Sequence, residues 1–235
     1  MIATLTTLVL TYLLGAVPFG VALGTLYGAD VDVRDAGSGN IGATNVARVH
    51  GRGLAAAVLA LDALKGALPV LYGWWLWPDG GVPWRVVVGL VAVIGHCWPV
   101  YLDFRGGKGV ATSAGAMLVI SPVPTAIAAA AWAALLALTG RSSVASLAAL
   151  GVLGAASYGW GAPLVPVALF GAVIVARHLP NLARLARGEE GPVVPAARPV
   201  GPASSPVGGG DVLRSDPIGA GDAAPAWRGA SPADS

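Results

Sequence analysis

Residues 54–76, LAAAVLALDALKGALPVLYGWWL, form a run long and apolar enough to cross a bilayer, yet Asp62 and Lys65 sit in its interior. Either charge alone would cost about 2.5–3.5 kcal/mol at mid-membrane, and the two lie three apart on one helical face. They are expected to pair with each other or to line a polar cavity. The rest of the chain agrees with a membrane setting. Its 235 residues are 55% hydrophobic and 11% charged, with a mean hydropathy of +0.71, whereas a soluble domain is about 25% charged. An all-α, polytopic membrane fold follows.

Working outward, further apolar runs lie at about residues 2–26, 86–102, 110–120, 124–139, 144–158 and 163–176. Several are shorter than the ~20 residues of a straight crossing. About seven spans are expected, with five or six as the alternatives. The first run has no basic residue ahead of it and exceeds a signal-peptide core, so it reads as a retained span with the N-terminus outside. Seven spans threaded from there put Arg34, Arg48, Arg52, Arg105, Lys108, Arg141, Arg177, Arg184 and Arg187 on the cytoplasmic side. Arg85 alone is left outside, beside Trp74, Trp75, Trp77 and Trp84, in the pattern of the positive-inside rule and an interfacial aromatic belt.

The C-terminus is then cytoplasmic. Residues 1–190 read as the membrane domain, and residues 191–235, rich in Pro, Gly, Ala and Ser, as a disordered tail. A net charge of +2 without a basic block argues against nucleic acid as a partner. The single Cys97 excludes an intrachain disulfide and a cysteine metal cluster. No metal or cofactor is called for.

Three polar, glycine-studded blocks interrupt the apolar sequence, and the threading places all of them on one side of the membrane. In residues 37–48, GSGNIGATNVAR, small residues let backbone approach a ligand. Ser38, Asn40, Thr44 and Asn45 supply directional hydrogen bonds, and Arg48 offers a planar fork for phosphate. In residues 104–112, FRGGKGVAT, Gly106, Gly107 and Gly109 surround Lys108 at the start of an apolar helix that includes Thr112. Backbone N–H groups and the helix dipole would add to the ammonium's attraction for an anion. The glycine spacing is not that of a nucleotide-binding P-loop. The third block, residues 177–181, RHLPN, puts His178 and Asn181 three apart, on one face if the helix persists through Pro180.

Together GSGNIGATNVAR, GHCWPVYLDFRGGKGVAT and RHLPNLARLARGEE resemble the signature motifs of the bacterial membrane acyl-phosphate:glycerol-3-phosphate acyltransferases, in order and spacing. The likeness runs from about Tyr12 to Glu190; Leu179-Pro180 is a local departure, and the tail has no counterpart. The resemblance implies a seven-span enzyme of the bacterial inner membrane, with its active site facing the cytoplasm. It would move a fatty acyl group from acyl phosphate to the 1-hydroxyl of glycerol 3-phosphate, the first acylation of phospholipid synthesis, releasing lysophosphatidic acid and phosphate. Implied partners are the two substrates, membrane lipid and the soluble enzyme that makes the acyl phosphate.

By the same resemblance, Ser38, Arg48 and Lys108 would hold phosphate groups, and Asn40, Thr44, Asn45, Gly106, Gly107, Gly109 and Thr112 would shape the pocket. Ser143 is a further binding candidate, and His178 and Asn181 would orient substrates or stabilise developing charge. Proton acceptance by a phosphate oxygen of the donor is favoured over His178 as general base. A transporter of a phosphorylated solute is the rival reading of a basic intramembrane pocket, but no internal repeat supports it.

Overall fold

A computed structural model of the chain describes residues 1–193; the expected disordered tail, from residue 194 onward, lies outside the described residues. Among these the chain is all-helical: α1 (Ile2–Ala16), α2 (Phe19–Leu26), α3 (Ala43–Val49), α4 (Arg52–Leu76), α5 (Gly81–Cys97), α6 (Val110–Ile120), α7 (Pro122–Thr139), α8 (Ser142–Gly159) and α9 (Leu164–Ala186). Large apolar side chains such as Leu10, Leu68, Val87, Ile127 and Leu169 remain exposed on the outer faces of long helices. That is the pattern of a bundle whose solvent is lipid.

Among the described residues, five helices are long and apolar enough to cross a membrane: α4, α5 with its flanking turns, α7, α8 and α9. Joining α1 and α2 into one span bent by 51° gives a sixth. The bend has a local cause, because Pro18 lacks an N–H and pushes Val17 into extended backbone. Whether there is a seventh turns on α6, whose 11 residues reach only about 16 Å, roughly half the hydrocarbon thickness. α6 is instead packed tightly on α4. A side chain on Gly66 would strike the Thr112 carbonyl, and one on Gly115 the Ala63 carbonyl. Small residues that let backbones meet drive helix association where water supplies no hydrophobic force.

Inside the bundle, the Lys65 ammonium is 2.7 Å from the Asp62 carboxylate, and it donates to the Val17 carbonyl at 2.8 Å, at the break between α1 and α2. His96 Nδ1 lies 3.7 Å from the same carboxylate. All three side chains are buried. The pairing expected from their spacing is present, and Lys65 also fastens α4 to the bent first span.

Helix α9 continues through Pro180 to Ala186 and buries both His178 and Asn181. The proline sits in the last two turns, where losing one ladder bond is tolerated. At the far end of the α4–α5 hairpin, Trp77 packs edge-on against Trp84 at 5.1 Å, and the Arg85 guanidinium lies 4.3 Å from the centre of the Trp74 ring. The three polar blocks gather at the opposite end.

Candidate active site

A cavity of about 610 Å³ opens where the start of α4, the short α3, the loop before α6, the α7–α8 corner and the end of α9 converge. Its polar lining includes Ser38, Asn40, Thr44, Asn45, Arg48, Arg52, Lys108, Ser142, Ser143, His178, Asn181 and Glu190. Ala55, Ala56 and Leu59 of α4, Val110 and Ala111 of α6, and Trp132, Leu136 and Ala137 of α7 make an apolar arm that continues it into the bundle. Asp62 and His96 reach its wall.

The first block earns its shape from Asn45. Its side-chain oxygen accepts the Ser38 N–H at 2.7 Å, while its amide donates to the carbonyls of Val33 at 2.8 Å and Ala36 at 3.0 Å. Gly37, at φ +62°, passes so close to this amide that a side chain there would strike it. Asn40 accepts the Gly42 N–H at 2.9 Å and closes the turn into α3. Asn45 thus folds the loop that presents Ser38. On α3, Val46 is buried with Val33, Ile41 and Val58, while Thr44 and Arg48, one helical turn apart, line the cavity. Thr44 donates to the Ser142 hydroxyl at 2.8 Å and ties α3 to the start of α8.

The second block presents Lys108 beside a glycine turn. Gly109, at φ +80°, precedes α6 and leaves no room for a side chain against Val93 and Cys97. Burial depresses the Lys108 ammonium to about 8; Glu190 opposes the fall, and Arg184, Arg48 and Arg177 add to it. Arg48 is also lowered, by burial first, with Glu190 opposing and Arg184 assisting.

Glu190 is the acidic member of the site. Its carboxylate accepts from Asn181 Nδ2 at 2.7 Å and Arg184 Nε at 3.1 Å, with the Ser143 hydroxyl alongside. Burial alone would raise its carboxyl, but the Asn181 hydrogen bond, the neighbouring Ser143 hydroxyl and the Arg184 and Lys108 charges outweigh this and hold it below the usual glutamate value. Arg184 answers Glu190 and Lys65 answers Asp62, so among the described residues Arg48, Arg52 and Lys108 stand as cations facing the cavity without a matching carboxylate in its lining. The site is built for anions. His178 Nδ1 lies 2.8 Å from the Ile174 carbonyl. A carbonyl only accepts, so Nδ1 carries the hydrogen and neutral His178 keeps its Nε2 lone pair.

Residues 5–188 match the family model described as glycerol-3-phosphate acyltransferase. The chain belongs to this family. It is 47% identical to the glycerol-3-phosphate acyltransferase of Anaeromyxobacter sp. (strain Fw109-5) over 196 residues, covering 76% of this chain and 91% of the relative. The corresponding protein of Sulfurimonas denitrificans is 44% identical over 192 residues, 78% of this chain and 93% of the relative. Two crystal structures of PlsY (YgiH), an integral membrane glycerol 3-phosphate acyltransferase, are similar. Its glycerol 3-phosphate form has a TM-score of 0.74 at 35% identity, and its lysophosphatidic acid form 0.73 at 34%. In both cases the likeness covers 81% of this chain and 95% of PlsY.

Ten residues expected from the acyltransferase motifs meet at the cavity: Ser38, Asn40, Thr44, Asn45, Arg48, Lys108, Gly109, Ser143, His178 and Asn181. Gly106, Gly107 and Thr112 are not among its lining residues. The two glycines sit behind Lys108 against His96, Cys97 and Pro99, and Thr112 is buried at the α4–α6 crossing. Arg52, Trp132 and Glu190 line the cavity without having been singled out from the motifs. A charge four residues past the first block, and the acid that ends the string RHLPNLARLARGEE, were the available signals for Arg52 and Glu190. Trp132 lies in a featureless apolar run and gave none.

Proposed function

We propose that the protein transfers the acyl group of an acyl phosphate to the 1-hydroxyl of glycerol 3-phosphate, giving lysophosphatidic acid and phosphate, on the cytoplasmic side of the bacterial inner membrane. The observation that carries this reading is one cavity joining Arg48, Arg52 and Lys108 to an apolar arm walled by Leu59, Trp132 and Leu136. That combination suits a molecule with a phosphate at one end and an aliphatic chain at the other. The N-terminus is placed outside, which puts the site-bearing end with its arginines inside and Arg85 with the tryptophans outside.

Acyl phosphate is a mixed anhydride with a stable leaving group, so positioning and charge stabilisation supply most of what the reaction needs. Arg48, Arg52 and Lys108 hold the two phosphates close despite their repulsion. Ser38, Asn40 and Thr44 direct hydrogen bonds from the rim. Neutral His178, with Nδ1–H committed to Ile174, offers Nε2 to the neighbouring 2-hydroxyl of the glycerol and so turns the 1-hydroxyl oxygen toward the acyl carbonyl, its own hydrogen facing the donor phosphate. As the new C–O ester bond forms, the anhydride C–O bond breaks. The hydroxyl proton passes to an oxygen of the departing phosphate, which leaves as hydrogen phosphate. Asn181 and Ser143 act from the Glu190 side of the pocket. The labile donor calls for a soluble enzyme that makes it near the same membrane face.

Purified protein in lipid, given palmitoyl phosphate and glycerol 3-phosphate, is expected to release phosphate and lysophosphatidate in equal amounts, with palmitoyl-CoA inert in parallel. Turnover from palmitoyl-CoA alone would overturn the donor assignment; solute uptake into liposomes without turnover would favour a transporter. His178→Gln keeps an acceptor that cannot carry the proton. Retention of measurable kcat there, against its loss in His178→Ala, supports the phosphate as proton acceptor.

A further inference from the structure

The Lys108 loop is fixed from both sides. From α5, the carbonyls of Cys97 and His96 accept the N–H groups of Gly106 at 3.2 Å and Gly107 at 3.0 Å. From α9, Arg177 donates Nη2 to the Gly106 carbonyl at 2.8 Å and Nε to the Gly107 carbonyl at 3.0 Å. Both glycines are buried, and a side chain on Gly107 would strike the His96 ring. The Arg177 guanidinium lies 5.3 Å from the centre of the Trp98 ring, which backs it. Arg177 does not line the cavity, whereas its neighbour His178 does.

We propose that Arg177 is a positioning residue: its guanidinium fork holds the Gly106–Gly107 backbone so that Lys108 stands at a fixed place relative to His178. One helix then sets the distance between the phosphate-holding cation and the group that orients the attacking hydroxyl. The fork needs two donors in one plane, which an ammonium does not provide. A shift of about 1 Å in such a constellation costs up to roughly 100-fold in rate. The inference rests on the acyl-transfer reading for its kinetic test, and a second readout is independent of turnover.

In the lipid-reconstituted protein, Arg177→Gln is expected to lower kcat/KM for glycerol 3-phosphate by about 10- to 100-fold. Arg177→Lys should recover little of the loss, and Arg187→Gln, which removes only an exposed pair with Glu189, should cost nothing. In a Lys108→Met background, Arg177→Gln should add almost no further loss, since it acts through Lys108. Additive losses, or full activity in Arg177→Lys, would overturn the proposal.

Independently, acetic anhydride labelling of Lys108, followed by mass spectrometry, should be slowed by glycerol 3-phosphate in the wild type and not in folded Arg177→Gln. Equal protection in both would also overturn it. Absent turnover with this contrast intact would remove the acyl-transfer reading and leave the role of Arg177 standing.

Discussion

Two charged clusters share this bundle and differ in how they are closed. Asp62 and Lys65 neutralise each other at 2.7 Å, and the ammonium also caps the Val17 carbonyl; nearby His96 completes a buried knot. Around the cavity mouth, among the described residues, Arg48, Arg52 and Lys108 exceed what Glu190, already paired with Arg184, can balance. In a low-dielectric setting, a pair that closes on itself is a structural device, whereas one left in excess at an open cavity waits for a ligand.

The largest expected effect tests the closed cluster. Asp62→Asn leaves the Lys65 charge buried without its partner and should destabilise the fold by about 3–5 kcal/mol, seen as a lower unfolding temperature in detergent. Replacing both partners, Asp62→Leu with Lys65→Met, should restore most of that stability and a large share of the activity. A stable double variant with no turnover would move the pair from structure into chemistry.

The open cluster should behave in the opposite way. Lys108→Ala or Arg48→Ala is expected to lower kcat/KM by about 10²–10³-fold, in the range of losing one preorganised charge-stabilising group. Unfolding temperature should hold or rise, because a like charge is relieved. Intact glycerol 3-phosphate affinity and turnover in either variant would break the distinction between the clusters.

Protonation sharpens it further. Burial lowers Lys108 to about 8, with Glu190 opposing the fall and Arg184, Arg48 and Arg177 adding to it, so in the unliganded enzyme its charge is lost as pH rises through that value. In the proposed reaction, phosphate capture uses the charged form. kcat/KM should therefore fall above pH about 8 by up to tenfold per unit, and Lys108→Arg, always charged, should carry the plateau to higher pH. An unchanged alkaline limb in Lys108→Arg would assign it to another group.

The contrast was partly legible in the sequence. The spacing of Asp62 and Lys65 gave the pairing, and the composition of the three blocks gave a polar pocket, because both are local properties of helix geometry and glycine-rich backbone. What was not legible depends on partners distant in the chain. Asn45 reads as a ligand-facing amide but is occupied by Ser38, Val33 and Ala36. Gly106 and Gly107 read as phosphate-cradling but are buried behind Lys108 by α5 and Arg177. Pro180 reads as an interruption, yet α9 passes through it near its end. Length alone left α6 ambiguous, since its burial against α4 does not appear in hydropathy.

The smallest effect concerns the boundary drawn at Glu190. Residues just beyond it are in contact with the site: the Gly191 and Pro192 carbonyls accept from Arg48 at 3.2 and 3.1 Å, and the Val193 N–H donates to the Gly140 carbonyl at 2.7 Å. These bonds hold Glu190 in place from its C-terminal side, but they also occupy the guanidinium assigned to phosphate in the proposed reaction. The two consequences oppose each other, and each is about the net worth of one hydrogen bond, roughly 0.5–1.5 kcal/mol. A chain ending at Val193 should keep wild-type kinetics. One ending at Glu190 should stay active, with KM for glycerol 3-phosphate changed by about tenfold at most. A folded but dead Glu190 truncation would show that the carbonyls arm Arg48 rather than compete for it, and would extend the open cluster to Val193.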